Sequence, residues 1–194
     1  MPFGSKGYRD AAAIAAGRFI EAIWEWTEGA RLPVVLDTSP CALTLRHCGP
    51  DLEEDLRGRW EQLEMLDGLE FAVKHVVPHL ENRHPQGAVA LHPVCSTVKM
   101  GLDGLLAEVV APFCTEAVVP PSAGCCGFAG DRGYLVPELT AAATAAETRE
   151  ILSGDFEGFY SSSRTCEIGL TRATGRPYRS FWYLLEEASR PAPA

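Results

Sequence analysis

Residues 87–95 read Gly-Ala-Val-Ala-Leu-His-Pro-Val-Cys, an apolar run that meets a histidine and a proline and ends on a cysteine. Gly87 to Leu91 has the length of a buried strand rather than a helix, and His92-Pro93-Val94-Cys95 reads as the loop that follows it. Working outward, the same alternation recurs on both sides. Upstream, Leu52 to Leu66 and Gly68 to Val77 carry helical patterns. Before them, Pro33 to Leu36 is a short strand ending in the polar turn Asp37-Thr38-Ser39. Arg9 to Glu28 is Ala-rich, with Ile14, Phe19, Ile23 and Trp26 spaced as one face of an amphipathic helix, so that Trp24 and Trp26 read as core and helix-face residues.

Downstream, Lys99 to Val110 reads as a helix and Ala117 to Val119 as a third strand. Glu138 to Leu152 is an Ala-rich helix entered through Pro137, a residue tolerated in a first turn. Gly158 to Ser161 is a fourth strand, and short helices follow at Glu167 to Ala173 and Ser180 to Ala188. The final Pro-Ala-Pro-Ala is expected to be disordered. Strands alternating with helices define the α/β class, with parallel sheets built from βαβ units. In such sheets ligands gather beyond the C-terminal ends of the strands. Cys41, Cys95, the pair Cys125-Cys126, and Cys166 each follow one of the four strands.

Composition narrows the function classes. The 194 residues are 46% hydrophobic and 22% charged, and no apolar run approaches the roughly 20 residues that span a bilayer. The start, Met-Pro-Phe-Gly-Ser-Lys, lacks the apolar core of a signal peptide, so a cytoplasmic location is expected. The net charge is −9, with no basic cluster longer than a pair, which argues against nucleic acid as a main partner and against direct docking on an acidic membrane. Seven cysteines, an odd number in a chain with no secretory signature, point to metal or redox use rather than a disulfide framework.

An internal repeat organises these cysteines. Asp-Thr-Ser-Pro-Cys-Ala-Leu-Thr-Leu around Cys41 aligns with Ser-Ser-Arg-Thr-Cys-Glu-Ile-Gly-Leu around Cys166, and Lys6-Gly7-Tyr8 aligns with Arg132-Gly133-Tyr134. Tyr8 precedes Cys41 by 33 positions (41 − 8), and Tyr134 precedes Cys166 by 32 (166 − 134). A shared spacing with shared punctuation marks a duplicated unit. The first copy then expects a cysteine pair at or just before residue 1, as if the chain began too late to include it.

In the second copy the layout is Cys95-x29-Cys125-Cys126-Gly127-x38-Cys166. Four thiolates make a closed metal site, and Gly124 and Gly127 free the backbone so that both sulfurs of the pair can face one centre. His92, three residues before Cys95, reads as a capping or supporting residue behind the site, with metal ligation as the alternative, and Asp131 and Arg132 read as a local ion pair that orders the loop after the cysteines or as solvated surface. Cys48 and Cys114 have no repeat counterpart and read as ordinary residues. The series Gly124, Gly127, Gly130 is not a dinucleotide fingerprint.

The stretches His-Pro-Val-Cys-Ser-Thr-Val-Lys-Met-Gly-Leu, Gly-Cys-Cys-Gly-Phe-Ala-Gly-Asp-Arg-Gly and Ser-Ser-Ser-Arg-Thr-Cys-Glu-Ile-Gly-Leu resemble the cysteine-rich CCG domain. That domain occurs in the cysteine-rich chain of heterodisulfide reductases, the iron–sulfur subunit of glycolate oxidase, and the C-terminal region of FAD-linked D-lactate dehydrogenases. The resemblance implies an incomplete tandem CCG repeat: residues 1–84 a remnant first copy, 85–190 the second, and 191–194 a tail. It implies an iron–sulfur (4Fe-4S) cluster on Cys95, Cys125, Cys126 and Cys166, with Cys41 as a further candidate ligand and zinc as the alternative metal. It also implies an oxidoreductase whose FAD resides in an upstream part or partner, electron transfer to a quinone or cytochrome, and a place at the inner face of the membrane through the parent enzyme. The family's pattern often ends in Cys-x-x-Cys, whereas here Ser163 stands three residues before Cys166. A thiol–disulfide site at Cys125 and Cys126 is the remaining alternative.

Overall fold

The structure, a computed structural model, describes residues 2–191. Both the expected cysteine pair at residue 1 and most of the expected disordered tail lie outside the described residues. The chain divides into two compact units, 1–68 and 69–194. This differs from the 84/85 division read from the sequence: the helical segment after Gly68 belongs with the second unit, because Leu69 and Ala72 are fully buried in its core.

The first unit runs α1 (Pro2–Ser5), α2 (Arg9–Trp26), β1 (Val34–Leu36), α3 (Ser39–Arg46), α4 (Glu54–Trp60) and β2 (Met65–Asp67). β1 and β2 pair in parallel, Val34 opposite Met65. The core face of α2 is carried by Ala16, Ile20 and Ile23, which meet Val34, Leu45, Leu52 and Leu63. Ile14 and Trp26, assigned to that face by the sequence reading, are exposed instead. The buried stripe runs 16, 20, 23, so that of the expected face Ile23 is buried, and Gly17 lets Leu56 lie against the helix backbone. The single helix expected over 52–66 is also divided: it stops at Trp60, and Met65–Asp67 is a strand.

The second unit comprises α5 (Gly68–Phe71), β3 (Gln86–His92), α6 (Cys95–Lys99), α7 (Leu105–Val110), β4 (Cys114–Val118), α8 (Arg132–Leu135), α9 (Pro137–Ser153), β5 (Gly158–Ser161), α10 (Arg164–Thr174), β6 (Arg179–Ser180) and α11 (Phe181–Ser189). The helix expected over 99–110 is two helices, because Gly101 takes a left-handed φ of 72° and breaks it.

The sheet has the order β4-β3-β5-β6, and every pairing is parallel, as the α/β reading requires. Successive strand residues point to opposite faces. Val89, Leu91 and Tyr160 pack with Leu106, Val109, Phe113, Phe181 and Leu184 on one side. Ala90 and Phe159 pack with Ile151, Leu170 and Tyr178 on the other. Helices therefore cover both faces, which is why these strands read as continuous apolar runs.

This strand order has a functional consequence. The chain leaves β3 toward β4 on one side and leaves β5 toward β6 on the other, so the connections diverge between the adjacent strands β3 and β5. A crevice opens at such a switch point, beyond the C-terminal strand ends. His92 ends β3, Ser161 ends β5, and the two are register partners. Among the described residues no helix is long and apolar enough to cross a membrane.

Candidate metal centre at the sheet switch point

Three post-strand segments converge at this crevice. The first delivers His92 and Cys95. β3 ends at His92, whose carbonyl accepts a 2.8 Å hydrogen bond from Ser161 Oγ, tying the two central strands together at the site. Cys95 then opens α6 and is exposed.

The second segment is the loop after β4. Cys126 is buried and Cys125 exposed, so the adjacent pair presents its sulfurs to different depths. Gly127 makes this possible. Its φ is 69°, and a Cβ there would lie 2.8 Å from both Ala143 Cβ and the Leu139 carbonyl oxygen. Only glycine fits a backbone turned left-handed against a helix. Gly124 needs no such licence, since a Cβ would meet nothing closer than 3.9 Å. Phe128 anchors the loop: it is buried with Val94, Cys126 and Cys166, and Tyr134 meets it edge-on at 4.8 Å.

The third segment carries Cys166, buried in the first turn of α10. Its Sγ lies 3.1 Å from that of Cys126. The close sulfur pair is therefore Cys126 with Cys166, from different loops, and not the neighbours Cys125 and Cys126. A ring nitrogen of His92 completes a compact group: His92, Cys126 and Cys166 bring one donor atom each within 4.8 Å of one another, all three buried.

The electrostatics join the exposed thiols to this group. Burial, followed by the neighbouring Cys125, raises the Cys95 thiol above its ordinary value. Cys166 is pushed far up, chiefly by its bond with Cys126, then by burial, with Cys95 and Cys125 also contributing. Cys126 moves the other way, lowered to about 6, chiefly through its bond with Cys166 and further through the Phe128 backbone N–H. The two buried sulfurs are thus coupled, and their contact favours the thiolate on Cys126 over Cys166. A cavity of about 520 Å³ opens beside Cys95 and Cys125, lined also by Val98, Lys99, Ala107 and Val119.

One participant carries no motif in the sequence. Glu147, on α9, is buried and places Oε1 2.8 Å from His92 Nδ1, while His92 itself is fully buried. The other ring nitrogen, Nε2, is buried without a hydrogen-bond partner. Such an orphan costs on the order of 1–3 kcal/mol. A nitrogen left bare beside two sulfurs has the chemistry of a metal donor.

The remaining expectations fall as follows. Asp131 and Arg132 are exposed at the start of α8. Cys41 sits in the first turn of α3 in the first unit. Among the described residues, no second group of three His, Cys, Asp or Glu donors shares the close spacing of the His92 group, so none surrounds Cys41. Cys48 is a buried core thiol raised by burial, bonded to the Leu45 carbonyl. Ser163, where the family often has cysteine, precedes α10 and is buried, with Oγ 3.4 Å from Thr165 Oγ1. Neither the protein-family models nor the curated proteins compared with the chain match it.

Proposed function

We propose that the second unit houses an iron–sulfur electron-transfer centre held by Cys95, Cys125, Cys126 and Cys166, serving as the C-terminal part of an FAD-linked 2-hydroxy-acid oxidoreductase of the D-lactate dehydrogenase type. The observation that carries this reading is the convergence of four cysteines from three separate loops at the switch point of a parallel sheet. Buried structural cysteines have no reason to collect at a ligand crevice, and Cys95 and Cys125 are not buried at all. When bound, the cluster would store and release single electrons. The chain's own residues prepare for it. Cys126 is the thiol of the buried pair whose thiolate is favoured, Gly127 sets the loop, and the burial of Cys126 and Cys166 leaves the Cys95–Cys125 side open toward solvent. Electrons would arrive from a flavin domain or subunit and leave to a quinone or cytochrome.

Zinc is the second reading, favoured by the His92–Glu147 pair, an arrangement common behind zinc-bound imidazoles. Anaerobic purification followed by iron, acid-labile sulfide and zinc determination separates the two. Iron and sulfide in near-equal amounts, with a paramagnetic signal on reduction, are expected. One equivalent of zinc without iron would overturn the electron-transfer assignment.

A further inference from the structure

We infer that Glu147 is a positioning residue that turns His92 into a nitrogen donor for the cysteine-held metal, an inference that rests on the metal-centre reading above. The sequence pattern favours His92 as a supporting neighbour of Cys95 over a metal ligand. The geometry assigns it differently, because its ring belongs to the compact donor group with Cys126 and Cys166, whereas Cys95 lies outside that group.

An imidazole has two nitrogens, and the hydrogen bond made by one decides what the other offers. Nδ1 faces the Glu147 carboxylate at 2.8 Å, so it carries the proton and donates it to Oε1. Nε2 then presents a lone pair. It is enclosed, has no hydrogen-bond partner, and shares its surroundings with two sulfurs. Neither partner of this pair has an evident structural alternative. Both side chains are almost wholly removed from water, and a buried carboxylate is retained only where a partner compensates it. The backbone is fixed as well, since Ser161 Oγ holds the His92 carbonyl, and Thr144 and Thr140, one and two turns before Glu147, are buried on the same face of α9, which packs on α10. The imidazole is thereby held in tautomer and orientation before any metal arrives. His92, Cys126 and Cys166 form the enclosed end of the centre, and Cys95 and Cys125 form its accessible end.

Cobalt(II) is a suitable probe, because its spectra distinguish thiolate from imidazole. The full chain, reduced and kept without oxygen, is titrated with Co2+ alongside Glu147→Gln and His92→Asn. His92→Asn keeps a side-chain amide that can still donate to Glu147, which guards against misfolding, and circular dichroism of the metal-free forms checks it. The native chain is expected to show sulfur-to-cobalt charge-transfer bands together with imidazole scattering in X-ray absorption. In His92→Asn the scattering disappears while the sulfur bands persist. Glu147→Gln keeps both signatures but binds Co2+ about 10- to 100-fold more weakly. Sulfur scattering alone in the native chain, or a Glu147→Gln affinity equal to native, overturns the inference and leaves the thiolate centre standing. Absence of thiolate bands in the native chain refutes the metal-centre reading itself.

Discussion

Two glycines flank the cysteine pair, and the backbone asks different things of them. Sequence alone gives them the same role, to let the chain turn. Only Gly127 sits in the left-handed region, with helix α9 closing off the space where a Cβ would go. Gly127→Ala is expected to lower the stability of the metal-free, reduced protein by about 2–4 kcal/mol, from the left-handed penalty plus overpacking. Gly124→Ala should stay within ~0.5 kcal/mol, as surface changes usually do. Urea denaturation of the two variants beside the native chain measures the difference; equal effects would mean that the loop is not seated on α9 as described. The same contrast explains what was legible residue by residue. Cysteines announce themselves, because an adjacent pair between glycines has few bland explanations. Glu147 does not, since helix 138–152 looks like an ordinary Ala-rich amphipathic segment. The one available signal was its phase: Thr140, Thr144, Glu147 and Ile151 form the buried stripe, and a charge in such a stripe needs a partner.

At the scale of elements, the strands and helices that frame the site were readable, and the misreadings have local causes. β2 and β6 have three and two residues, too short for any alternation to register. The apolar positions of 52–66 suit a helix, yet Leu63 and Leu66 are buried by chain leading into and forming β2, because pairing with β1 outweighs propensity. The last element, α11, is secured to β6 by a forked ion pair, Arg179 donating to Glu187 at 2.8 and 2.7 Å. This bond holds the Glu187 carboxyl below its ordinary value. Its contribution is therefore present above the unfolded carboxyl value of about 4.3 and is lost as pH falls through the lower folded value. Both side chains are about one-third exposed, so solvent screening holds the pair to roughly 0.5 kcal/mol. Glu187→Gln should accordingly lower the urea midpoint slightly at pH 7 and leave it unchanged at pH 2.5. An equal loss at both values would assign the effect to packing instead of charge.

Across the whole chain, the two units share an order of elements. A four-residue helix, a long helix, a strand and a cysteine-bearing helix occur in each, as α1–α3 and α8–α10. The cysteine follows the strand end by five residues in both, Leu36 to Cys41 (41 − 36) and Ser161 to Cys166 (166 − 161). The sequence alignment of these segments thus coincides with an alignment of backbone elements, although among the described residues only the second unit brings other donors to its cysteine. Likeness of framework without likeness of ligands makes a sharp expectation for the whole molecule. A ligand that binds only the folded state stabilises it by mass action, about 2.7 kcal/mol at one hundred times its dissociation constant, and that protection appears where the ligand is held. Hydrogen exchange on the reduced full chain, with and without added Zn2+, should therefore slow in segments 92–99, 122–130 and 161–168. The segment 34–46 around Cys41 should exchange at an unchanged rate. Equal slowing around Cys41 would mean that the first unit contributes a ligand after all, and that the centre proposed for the second unit is not confined to it.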